Sequence, residues 1–79
     1  MTMVTGFQAV DGQGFPVLCD SHGNNAAFRC LGCGAPVLST IRENQRGSDP
    51  NHATTCPACR SRYWVEVDTI NQRLVVHRV

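Results

Sequence analysis

The sequence predicts a small all-β domain, and three observations carry that prediction. No stretch sustains a helical period, whereas residues 62–68 alternate with a period of two. At 79 residues the chain buries too little apolar surface to be comfortable without a staple. Two Cys-x-x-Cys hooks, at Cys30 and Cys33 and at Cys56 and Cys59, supply one: each can present two thiolates from a tight turn, and together they make a four-sulfur metal site.

Taken in order, residues 1–25 read as an N-terminal arm or weak hairpin about Asp11-Gly12, set apart from a metal-stapled domain at 26–79. Residues 15–19 form a short apolar run, which Pro16 confines to a strand's start or to an edge. Residues 20–25 are dense in turn formers. Residues 26–29 lead as a strand into the first hook, where Gly32 and Gly34 permit the positive torsions that turn amide N–H groups toward the sulfurs. Residues 35–42 leave as a strand with Val37, Ser39 and Ile41 on one face. Residues 43–53 are polar, contain Gly47 and Pro50, and read as a flexible loop. After the second hook, Tyr63, Val65 and Val67 should face the core. Residues 69–72 turn the chain, and residues 73–79 pair back as a final strand.

Strand, hook, strand, loop, hook and C-terminal hairpin resemble the zinc-ribbon class over residues 26–79. The resemblance rests on Cys30, Cys33, Gly34, Cys56, Pro57 and Cys59, and departs from the pattern at Arg60, where such hooks often carry glycine. It implies an all-β zinc ribbon with one structural Zn2+ on Cys30, Cys33, Cys56 and Cys59. The hooks are also similar to those of rubredoxins, which implies the alternative of iron and electron transfer.

A full set of four protein ligands leaves no open coordination position, which points to a structural rather than a hydrolytic ion and to a non-enzymatic chain. Cys19 is left over, either packed or unpaired, and His22, His52 and His77 are spare. The formal charge is only +1, which gives no whole-protein case for nucleic acid. All seven basic residues are Arg and all fall in residues 29–79, against Glu43, Asp49, Glu66 and Asp68, an excess of three positive charges.

Arg60, Arg62, Trp64, Arg73 and Arg78 cluster in or beside the terminal hairpin and form the candidate interaction face. It could take a protein partner or nucleic acid, guanidinium on phosphate and aromatic on base, while the bland reading is a solvated hairpin with Trp64 closing the core. An apolar last strand at a sheet edge would also allow a homodimer. With no export signal and no membrane-length apolar run, the expected location is the cytoplasm, where thiolate-metal bonding is favoured over two disulfides.

Overall fold

The computed structural model describes residues 3–79; Met1 and Thr2, the start of the expected arm, lie outside the described residues. Eight strands follow in order: β1 (Gln8–Asp11), β2 (Pro16–Val17), β3 (Cys19–His22), β4 (Asn25–Arg29), β5 (Pro36–Thr40), β6 (Thr54–Thr55), β7 (Arg62–Asp68) and β8 (Arg73–Arg78). The one helical element among the described residues is a 3₁₀ turn at Pro50–His52. The chain is small and all-β. Five strands form one sheet in the order β2-β1-β8-β7-β6, and three form a second in the order β3-β4-β5.

Alternation places the core between the sheets. Tyr63 and Val65 of β7, Leu74 and Val76 of β8, Ala26 and Phe28 of β4, and Val37 and Ser39 of β5 are all buried, while their neighbours along each strand are exposed or half-buried. The Phe28 ring meets Tyr63 edge-on at 5.6 Å between centroids and ties the second sheet to the first beside the hooks.

Several expectations are corrected here. Packing runs across the boundary expected at residue 25, because Val4 and Ala9 are buried in the common core and β1 pairs in parallel with β8, Ala9 opposite Leu74. The last strand is therefore an interior one, and a homodimer through its edge loses its basis.

The apolar run at 15–19 is divided at Leu18. Pro16 opens edge strand β2, as its missing N–H requires, and Cys19 already belongs to the other sheet. The turn chemistry expected from Asp20 is confined to Gly23 and Asn24. Asp20, Ser21 and His22 instead pair with β4, and the buried Ser21 hydroxyl donates to the Phe7 carbonyl at 3.0 Å.

The polar loop at 43–53 is tied down near its middle, at two consecutive carbonyls. Thr40 donates its N–H to the Arg46 carbonyl (2.8 Å), and Val65 donates to that of Gly47 (2.7 Å). Gly47 lies at φ +82 with Ser39 packed where a Cβ would stand, and Asp49 caps the 3₁₀ turn through the Asn51 amide. Trp64 does not close the core. Tyr63 does, and half-buried Trp64 stacks on His77 on the outer face, with centroids 4.5 Å apart.

Candidate metal centre

Each hook is a turn closed by the same two hydrogen bonds. In the first, Gly34 N–H donates to Cys30 O (3.0 Å) and Cys30 N–H to Ala35 O (2.8 Å). In the second, Arg60 N–H donates to Cys56 O (2.9 Å) and Cys56 N–H to Ser61 O (2.8 Å). Both turns need a left-handed residue directly after their second cysteine, and Gly34 (φ +79) and Arg60 (φ +67) fill that place. Gly32 does not share the positive torsion expected for it. A Cβ there would stand 3.2 Å from Arg78 Nη2, so close approach of that guanidinium is what its missing side chain accommodates.

The strands carry these turns to one point. β4 and β5 flank the first hook, β6 and β7 flank the second, and the four Sγ atoms lie within 4.8 Å of one another. Cys30 Sγ is 3.5 Å from Cys59 Sγ, and Cys33 Sγ is 3.6 Å from Cys56 Sγ. Tetrahedral bonding at the usual zinc–sulfur length of about 2.3 Å sets sulfurs about 3.8 Å apart, so the quartet fits such an ion. All five cysteines are free thiols. Four soft sulfur donors with no carboxylate among them match zinc or iron and not magnesium or calcium. The four residues assigned from spacing are thus the ones that the fold gathers, and Cys19 stands apart in β3.

No match was found in comparisons with family models, curated proteins and solved structures. The site must be read from its own chemistry.

That chemistry is uneven. Cys30 and Cys56 are buried, Cys33 and Cys59 exposed. Burial pushes the Cys30 thiol up, but the Tyr63 hydroxyl at 3.1 Å, the amides of Cys33 and Gly32 and the Cys59 thiol outweigh it and bring it down to about 5. The Ala35 amide favours a thiolate at Cys33, yet the neighbouring Cys56 thiol, burial and the Cys59 and Cys30 thiols carry it up to about 12. Cys59 is lowered by the Ser61 hydroxyl and amide. Such a spread is what adjacent thiols show when their charges must sit side by side, and a divalent cation relieves it.

The five residues of the expected interaction face are not brought onto one surface. Arg62 and Trp64 point outward from β7 beside His77, whose Nε2 is 2.8 Å from Glu66 Oε1. Arg73 pairs with Asp68 at 3.6 Å near the far turn, five residues and about 17 Å along β8 from Arg78. Arg78 lies opposite Tyr63 in register and so belongs to the inner face, its guanidinium 5.6 Å from the Tyr63 ring centroid. Arg60, Arg62 and Arg78 nonetheless meet with Ser61 and Val79 around a cleft of about 320 Å³ at the end of the hairpin. The residue that spacing arguments missed is Tyr63. Its inward phase next to a hook was the available signal.

Proposed function

We propose that the chain is a non-enzymatic interaction module built on one structural Zn2+, in the manner of a zinc ribbon, with Cys30, Cys33, Cys56 and Cys59 as ligands. The observation that carries this reading is the convergence of two equivalently hydrogen-bonded hooks on a four-sulfur quartet, which leaves an ion no position open for water or substrate. A reducing compartment such as the cytoplasm would keep the thiols available. Among the described residues no helix is long and apolar enough to cross a membrane.

For the partner, the cleft at the hairpin end supports a phosphate-bearing chain. Among the described residues no carboxylate lies within 4.0 Å of the Arg60, Arg62 or Arg78 guanidinium, and Trp64 stands on the Arg62 face where a base could stack. Native mass spectrometry should give one zinc per chain on a colourless protein. A red protein with visible absorption would instead mean iron in the same sulfurs and electron transfer. A labelled single-stranded oligonucleotide, titrated at several salt concentrations, should bind with an affinity that falls as salt rises and that Arg62→Ala and Trp64→Ala weaken. No binding at low salt would transfer the face to a protein partner.

A further inference from the structure

We propose that Tyr63 and Arg78 form a hydrogen-bond relay that holds the metal centre at Cys30, an inference that rests on the metal reading above. Arg78 Nη2 is 3.2 Å from the Tyr63 hydroxyl, which is in turn 3.1 Å from Cys30 Sγ. The direction of the relay follows from the inventory of donors. A guanidinium has only N–H groups to offer, so the tyrosine oxygen must accept from Arg78, and its single hydrogen is left to point at the sulfur. Cys30 thereby receives an O–H donor in addition to the Gly32 amide at 3.4 Å.

Every member is fixed in place. Tyr63 is 0% exposed and its ring is wedged against Phe28; Arg78, opposite Tyr63 in the β7–β8 register, lies over that ring and passes where a side chain at residue 32 would stand. Four thiolates around a divalent ion carry two net negative charges, so a buried donor backed by a guanidinium places positive charge where the centre needs it, without competing as a ligand. Tyr63 is then a positioning residue for the site, and Arg78 acts through it.

The test uses the full chain loaded with Co2+ or Zn2+. Tyr63→Phe keeps the ring and removes the hydroxyl. It should weaken metal affinity, measured by competition with a chromogenic chelator, 10- to 100-fold, the range for partners of ligating groups. It should also shift the sulfur-to-cobalt charge-transfer band to longer wavelength, because a sulfur freed of its donor gives up an electron more easily. Arg78→Gln, a change at the surface, should weaken affinity less and have little further effect when Tyr63 is already Phe.

Arg42→Gln, at an exposed position outside the hooks and the cleft, should leave both readouts unchanged. An unmoved band and affinity in Tyr63→Phe would overturn the relay, and so would an Arg78→Gln effect undiminished in the double variant. A wild-type chain that bound neither ion through four sulfurs would defeat the metal reading itself, which is a different result from a metal-binding chain indifferent to Tyr63.

Discussion

The two hooks have the same backbone and different surroundings. Gly34 and Arg60 hold the same left-handed place and close the same turn, so the hydrogen-bond frame does not depend on glycine. What differs is the neighbour overhead. The position after the first cysteine's successor is Gly32 in one hook, where Arg78 passes close by, and Ala58 in the other. Residue type in these turns is thus set partly by backbone torsion and partly by what packs on them, and the two causes can be separated by mutation.

The largest effect should come from removing a sulfur from either hook. Structural zinc contributes on the order of 10 kcal/mol in small domains, more than a core of this size supplies, so Cys30→Ser and Cys59→Ser should both unfold the chain, as should a strong chelator. Circular dichroism and zinc content check this. Cys19→Ser should retain the fold. Equal collapse of all three variants would overturn the assignment of the ligands to the hooks, and survival of only one hook variant would break the equivalence drawn between them.

Proton linkage comes next. Cys30 is lowered to about 5 against an ordinary thiol near 8.5, so its contribution to stability is fully present above the unfolded value and is lost as pH falls through about 5. Cys33, raised to about 12, is still protonated at neutral pH and must give up its proton when the ion binds. Calorimetry in buffers of different ionisation enthalpy should therefore record proton release at pH 7. Its absence would mean that the quartet is already ionised.

Smaller effects sharpen the torsional half of the comparison. Gly34→Ala should cost about 1 kcal/mol, because the left-handed place admits a Cβ only with strain and nothing else lies within 4 Å of it. Arg60→Gly should do the reverse by about 0.5 kcal/mol, strain relief being offset by the greater freedom of glycine in the unfolded chain. Chemical denaturation of the zinc-loaded protein measures both. A loss of stability in Arg60→Gly would show that the arginine side chain holds the second hook in some way that its backbone does not.

Much of this architecture was legible beforehand. Cysteine spacing marked the four sulfurs, and period-two alternation put Tyr63 and Val65 inside and set Val37, Ser39 and Ile41 on one shared face, because burial on one face of a strand leaves a local signature; Val67, expected inside with them, is only half-buried near the far turn. The losses were non-local. Nothing near Gln8 announces a parallel partner 65 residues away, so β1 and the interior position of β8 could not be read. Ser21 and His22 resemble turn formers until β4 pairs with them. The scatter of Arg73, Arg62 and Arg78 follows from register and from the pull of Asp68 and Tyr63, neither of which composition records.

The parallel pairing of β1 with β8 has an outcome for biosynthesis. Residues 8–11 have to wait for residues 73–76 before their sheet can close, and Arg78 travels with that later segment. During synthesis the hooks could capture an ion while residues 8–11 have only β2 beside them and their other edge is open. A nascent chain stalled short of residue 73 would then display a metallated knuckle with an open strand beside it, a form for chaperones and proteases to recognise.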